Sequence, residues 1–316
     1  MKSFLKTLLF LIAGTAFAQP YPSKPIRVIV PFSPGGPVDV VMRLLSPKMT
    51  EMLGQPLVIE NKTGAGGNLG VQQAARAPAD GYTVLATSSS FAVNPALTPD
   101  AGYNPEKDFI AVAVVASQPN FIVVNAAFPA RTLAELLQMA RTQKLAFASP
   151  SSGTTPHLTA ENLFKVRAKV DITHVPFRGA GPAAAAVLGG EPPIGSMAGT
   201  APMPHLKSGK LRALAVSSSK RLASLPDVPT LNELGYPDME DYTWVGLFLP
   251  AGTPTAIAQK LNDVVIRTVQ SADIRERLDG LTFEPTAAPL RETADYVKSE
   301  LVKWAKVVRD TGAKAE

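Results

Sequence analysis

One pattern limits what this chain can fold into more than any other. Apolar runs give way to a few small residues and then to a helix-forming segment, and this happens again and again. "IRVIVPF" leads through "SPGGP" into Val38, Val41, Met42, Leu45, Met49 and Met52, the single stripe of an amphipathic helix. Pro37 suits the first position of that helix and Asp39 its positive end. Pro47 is expected to kink or split it. "QPLVIEN" leads through "KTGAGGN" into a helix reaching Ala75, and "YTVLATS" follows an Asp80-Gly81 turn and runs into "SSFAVN". "LAFASP" precedes "SSGTTPH", and "ITHVPF" precedes "RGAGPAAAAVL". Continuously apolar strands are read as buried on both faces. The β-α-β-α-β order calls for a mostly parallel sheet with helices on its faces.

The pattern restarts midway. "NFIVVN" is a strand, "RTLAELLQMART" a helix with a Thr132/Glu135 capping box, and "LRALAVSS" a last strand of the second set. Two sets imply two α/β lobes. "AVAVVASQP", around residue 115, has no glycine-serine linker and is read as an ordered crossing strand; "YTWVGLFLPAGTP" is a second crossing candidate. Long helices follow at Ile257–Val269 and Thr293–Val308. The latter carries Val297, Leu301, Trp304 and Val308 on one face, which fits best against the first lobe. The expected division is residues 19–115 with 248–316 for lobe 1, and 116–247 for lobe 2.

The opening "MKSFLKTLLFLIAGTAFAQP" has the form of a secretory signal over residues 1–18. Lys2 and Lys6 precede an apolar core too short to span a bilayer, and Ala16-Phe17-Ala18 supplies a small-x-small cleavage pattern. Without that leader, 29 basic residues face 26 acidic ones, a balance that gives no reason to expect nucleic acid. The chain has no cysteine, which excludes disulfides, thiol catalysis and thiolate metal sites.

Five strand-to-helix junctions share one design: "FSPGGP", "KTGAGGN", "SPSSGTTPH", "FRGAGP" and, more loosely, "ATSSSFAVN". A helix N-terminus offers free amides and partial positive charge, glycine admits a ligand close to the backbone, and hydroxyls add adaptable donors. In open parallel sheets such loops gather at the carboxyl edge. The glycines of "GAGGNLG" miss the dinucleotide spacing, because its third position falls on Leu69, and no phosphate-loop lysine occurs. His157, His174 and His205 form no ligand pair, and Ser33, Ser88, Ser89 and Ser151 lack a nucleophile elbow. No cofactor or metal is implied. Arg178 is the fixed cation of these loops, either a salt-bridge residue or a partner for a ligand carboxylate. Asp39 either caps its helix, orients Gly35-Gly36, or meets a ligand donor. Phe32, Phe91, Phe177 and Trp244 are candidate walls or core.

"YPSKPIRVIVPFSPGGPVDVVMRLL", "LGQPLVIENKTGAGGNLG", "ADGYTVL", "HVPFRGAGPA" and "SGKLRALAVSSSKRLASLPDVPTLNELGYP" together resemble the Bug receptors, the periplasmic solute-binding proteins of tripartite tricarboxylate transporters. The resemblance covers essentially all of the chain after the leader. It implies a type II periplasmic-binding-protein fold, with two lobes joined by two crossing strands, and a small organic carboxylate in the cleft between them. It also implies membrane permease subunits as partners and a monomeric, non-enzymatic receptor. By the resemblance, Phe32, Ser33, Pro34, Gly35 and Gly36 with Gly64 to Asn68 hold the proximal carboxylate. Ser152, Gly153, Thr154, Thr155, Phe177, Arg178 and Gly179 close over it. Pro193 and Met197 stand where many members carry acids, which disfavours an amino-acid ligand and offers Met197 to an apolar body. The expected ligand-binding set thus comprises Phe32 to Gly36, Asp39, Gly66, Gly67, Asn68, Ser88, Ser89, Ser152 to Thr155, Phe177 to Gly179 and Met197. A periplasmic sensor with the same fold, and an enzyme acting in the same cleft, are the alternative readings.

Overall fold

The computed structural model describes residues 21–98 and 100–315; the expected secretory leader, residues 1–18, lies outside the described residues. In chain order, the first half contains β1 (Ile26–Val30), α1 (Pro37–Leu53), β2 (Leu57–Asn61), α2 (Asn68–Ala75), β3 (Thr83–Ser88), α3 (Ser90–Leu97), α4 (Pro105–Asp108) and β4 (Phe109–Asn125). Next come α5 (Leu133–Ala140), β5 (Leu145–Ser149), α6 (Thr155–Glu161), β6 (Ile172–Pro176), α7 (Ala180–Gly189), β7 (Ile194–Ala198), α8 (Met203–Lys207) and β8 (Leu211–Val216). The chain ends with β9 (Tyr242–Pro250), α9 (Thr255–Gln270), α10 (Ala272–Gly280), β10 (Glu284–Pro285) and α11 (Leu290–Thr311).

The strand order is β2-β1-β3-β9-β4-β7-β5-β6, with β8 and β10 also pairing on β4. Each arm is parallel, β2-β1-β3 on one side and β7-β5-β6 on the other, as the strand-helix alternation requires. The middle is antiparallel. β4 pairs with β9 over Phe109–Pro119 and with β7 over Asn120–Val124, so one long strand serves both arms. Sequence reading treats this stretch as two strands; it is one strand of 17 residues, buried almost throughout. β9 pairs only within the first arm, with β3 and β4, but its approach is clipped to the second, where Asp241 N–H donates to Ser217 O at 3.1 Å.

Strand alternation sorts side chains onto two faces of each arm. Ile26, Val28 and Val30 of β1 point to a core shared with α1 and α9, through Val41, Leu45, Leu261 and Val265. Ile29 points the other way, to Leu85, Phe91, Phe248 and Trp304, under α3 and α11. In the second arm Ile122, Phe147 and Ile172 face α5 and α6, while Phe121, Val123 and Met197 face α7. The inner strands are therefore covered on both faces, which accounts for their near-continuous apolar character, while the edge strands β2 and β6 keep exposed residues such as Val58 and Thr173. The last helix lies where its apolar stripe places it, with Val297, Trp304 and Val308 buried beside Phe91.

Two local expectations need correcting. Pro47 does not split α1, which runs unbroken from Pro37 to Leu53; Pro47 is on the exposed side of the helix. The short helix α10 was not foreseen. The Thr132/Glu135 cap forms, with Thr132 Oγ1 accepting from Glu135 N at 3.2 Å, although Glu135 reaches back to the amide of Arg131, one residue before Thr132.

Candidate functional site

The carboxyl ends of the parallel strands meet around one cavity of about 730 Å³. Its first wall is the β1–α1 turn, Pro31 to Val38, and the β2–α2 loop, Thr63 to Gly67. Its second wall is the β5–α6 loop, with Pro150, Ser151 and Thr154 to Pro156, and the β6–α7 loop, Phe177 to Pro182. Ser88, Ala198 and Thr243, from the ends of β3 and β7 and the start of β9, complete the lining.

Three of the helices opening here, α1, α6 and α7, lack a side-chain cap; their N-cap residues are Gly36, Thr154 and Gly179. Each also carries a proline in its first turn, at Pro37, Pro156 and Pro182. In α1 the first intrahelical bond is from Val40 N to Gly36 O, so the amides of Val38 and Asp39 have no acceptor within the helix. Away from the cavity, α4 and α5 are capped by Asn104 and Thr132. The lining therefore offers bare amides and helix dipoles, walls of Phe32, Phe177, prolines and alanines, one cation (Arg178) and no acid. Arg178 makes no ion pair among the described residues.

Asp39 stands behind this surface and does not line it. Its Oδ2 accepts from Gly35 N and Arg43 Nε, both at 2.9 Å, and its Oδ1 from Asn61 Nδ2 at 3.0 Å; Asn61 Nδ2 also reaches Phe32 O at 2.9 Å. Burial pushes this carboxyl up, but the bonds from Arg43, Gly35 and Asn61 outweigh it and hold the group below the usual carboxylate range. Asp39 thus pins both ends of the Phe32–Gly36 turn. Gly67 adopts φ of 101°, and a Cβ there would press on Phe32 Cε1 at 3.1 Å, so the second loop lies directly against the Phe32 ring.

Of the expected residues, Phe32 to Gly36, Gly66, Gly67, Ser88, Thr154, Thr155 and Phe177 to Gly179 line the cavity. The others do not. Asn68 turns inward, accepting from Asn94 Nδ2 at 2.7 Å. Ser89 pairs with Thr155 beneath the surface at 3.0 Å, and Ser152 and Gly153 form the buried back of their loop, where Gly153 lies against Asn94. Met197 is fully buried among Phe121, Val123 and Ala183, because strand alternation gives the cavity position to Ala198. Phe91 and Trp244 belong to the core under α11. Thr63 and Ala180–Pro182, which also line the cavity, fall inside the "KTGAGGN" and "FRGAGP" junctions but are not singled out by sequence reasoning. Outside the junctions sequence reasoning missed Ala198 and Thr243, of which only Thr243, a polar residue inside an apolar crossing strand, carried a signal.

His157 and His174 stack beneath the second wall, with ring centroids 3.9 Å apart. His157 Nδ1 accepts from Gly153 N at 3.3 Å, and His174 Nε2 lies 2.7 Å from Ser149 Oγ. Ser149 Oγ also lies 3.2 Å from Ser151 O, and neither histidine lines the cavity. Burial lowers His157 to about 3, helped by His174 and Lys165, and lowers His174 to about 4, helped by Lys165. Both rings are neutral in the folded state at neutral pH, whereas the unfolded chain takes up protons below about pH 6.5. Stability is thus fully present above that pH and drains away as pH falls towards about 4, by up to about 2.7 kcal/mol per pH unit for two such groups. Thermal unfolding followed from pH 7 to 4 should show this fall. A His157→Gln/His174→Gln variant should show a flatter curve, and an equally steep one would contradict the assignment.

Among the described residues no three His, Asp or Glu side chains converge as metal ligands, and no helix is long and apolar enough to cross a membrane. Residues 41–313 match the family model described as "Tripartite tricarboxylate transporter family receptor". The solved periplasmic binding protein BugD is 32% identical, with a TM-score of 0.87, covering 94% of this chain and 100% of that one. Rpa4515 of R. palustris, solved with adipate, is 31% identical with a TM-score of 0.88, again over 94% of this chain and all of the other. MatC from Rhodopseudomonas palustris, solved with bound malate, is 35% identical with a TM-score of 0.85, over 91% of this chain and all of its own.

Proposed function

The chain belongs to the tripartite tricarboxylate transporter receptor family, and from that premise we propose that it is a periplasmic receptor that captures a small organic carboxylate in this cavity for a membrane permease. The carrying observation is the lining itself. Helix-opening amides and one arginine without an ion pair among the described residues line a half-open, largely apolar cleft whose lining contains no carboxylate. Such a surface favours an anion and penalises an ammonium group. Rpa4515 with adipate and MatC with malate are relatives whose ligands are of this class.

In this reading the amide of Val38, with the Ala65–Gly67 loop, holds the proximal carboxylate. The apolar walls accommodate the carbon skeleton, and Thr154 and Phe177 to Gly179 close from the other side. The division of the chain into lobes at about residues 115 and 247 supplies the motion, with β4 and the segment entering β9 as hinges. Binding without turnover is the expected activity.

Calorimetric titration of the purified protein with succinate, citrate, adipate, benzoate-type acids and glutamate tests this reading. Native mass spectrometry of protein taken from the periplasm should add a co-purified acid. Binding of one or more of the amine-free acids is expected. Tight glutamate binding with silence from the others would overturn the proposal.

A further inference from the structure

One side of the cavity is the end of a buried hydrogen-bond chain whose direction can be worked out. Thr155 and Thr243 both line the cavity, yet they are 1% and 6% exposed. Their hydroxyls lie 2.7 Å apart. Thr243 Oγ1 is 2.8 Å from Asn120 Oδ1, Asn120 Nδ2 is 3.0 Å from Thr159 Oγ1, and Thr159 Oγ1 is 3.2 Å from Asp241 Oδ2. Asp241 Oδ1 is ion-paired with Lys303 Nζ of α11 at 2.8 Å. At the other end, Ser89 Oγ is 3.0 Å from Thr155 Oγ1.

The ionised carboxylate sets the direction, because it can only accept. Thr159 must give its single proton to Asp241, so Asn120 must turn its amide nitrogen towards Thr159 and its oxygen towards Thr243. Thr243 then spends its proton on Asn120, Thr155 spends its own on Thr243, and Ser89 donates to Thr155. Both lining hydroxyls have their protons committed inward. Each oxygen keeps one lone pair unpartnered among the described residues.

We propose that Thr155 and Thr243 form an acceptor-only subsite that selects a carboxylate bearing a hydroxyl group, with the hydroxyl donating to these two oxygens. This rests on the carboxylate reading of the cavity and narrows it. A ligand carbonyl or second carboxylate placed here would set lone pair against lone pair. An ammonium would have donors to offer but no acid in the lining to balance its charge. Thr159 is a positioning residue: it touches no ligand and fixes the chain's polarity.

Matched pairs test the proposal by calorimetry: malate against succinate, lactate against propionate, and citrate against tricarballylate. In each pair that binds, the hydroxy acid is expected to bind about tenfold more tightly. Thr159→Val cuts the relay outside the cavity and should shrink that ratio to about threefold or less while both acids still bind; Thr159→Ser should restore it. Thr243→Val provides a second reading should Thr159→Val fail to fold. Equal affinities within the pairs, or a ratio unchanged in these variants, would overturn the acceptor subsite and leave the carboxylate cavity standing. Silence from every acid would sink the carboxylate reading and this inference with it.

Discussion

Replacing Gly36 with valine is expected to weaken carboxylate binding about hundredfold, with the melting temperature staying within about 3 °C of the parent. The two halves of this result have separate causes. Gly36 is the N-cap of α1 at φ of −74° and ψ of 167°, an extended conformation that a β-branched residue adopts readily. A Cβ there meets only Ser33 O, at 3.4 Å, which is ordinary contact. The fold therefore tolerates the change. The site does not, because Gly36 lines the cavity beside the bare amide of Val38, and a branched side chain takes the space a carboxylate needs to reach it. Calorimetry and thermal unfolding on one preparation separate these effects. A folded variant with unchanged affinity would mean that the anion sits elsewhere.

Asp39→Ala is expected to cost about 3 kcal/mol of stability and to weaken ligand binding as well. The substitution leaves the Gly35 amide and the Asn61 carboxamide without their acceptor, and Asn61 also steadies Phe32. Arg43 is half-exposed and turns to water, so the main loss is in the turn, not in the ion pair. The pH dependence follows from the sign of the shift. Asp39 is held below the usual carboxylate range, so its contribution is complete above about pH 4 and is lost as pH falls through its lowered value. Asp39→Ala should lack that part of the acid transition and keep the histidine part above it. Chemical denaturation at pH 7 and pH 3 measures both; a variant as stable as the parent at pH 7 would refute the bracing role.

Much of the fold was legible because it is written in local rules. β1 reads as buried on both faces because it is, between α1 and α9 on one side and α3 and α11 on the other. The glycine and proline junctions announce helix starts because proline suits the first helical turn and several of the glycines, Gly35, Gly67 and Gly179 among them, take positive φ. The stripe of Val297, Trp304 and Val308 announces a docked face. Where local rules compete with context, the reading failed. Pro47 is a helix breaker by propensity, but an exposed position in a well-packed helix tolerates it. Met197 looked available to a ligand, but which face a strand residue occupies depends on register, and pairing with Phe121 assigns Met197 to the core and Ala198 to the cavity.

By itself the sequence determined two α/β units, strand-to-helix turns free of acidic residues, and the absence of the side chains needed for thiol or phosphate-loop chemistry. Each of these follows from residues within a few positions of one another. Only the tertiary structure decided that Asp39 grips Asn61, that the turns of both units enclose one cavity, and that Thr155, Thr243, Asn120 and Asp241 form a polarised chain. Thr243 and Asn120 are 123 positions apart, and the direction of a hydroxyl proton depends on every partner down to the carboxylate. Chain order does not encode that information; packing does.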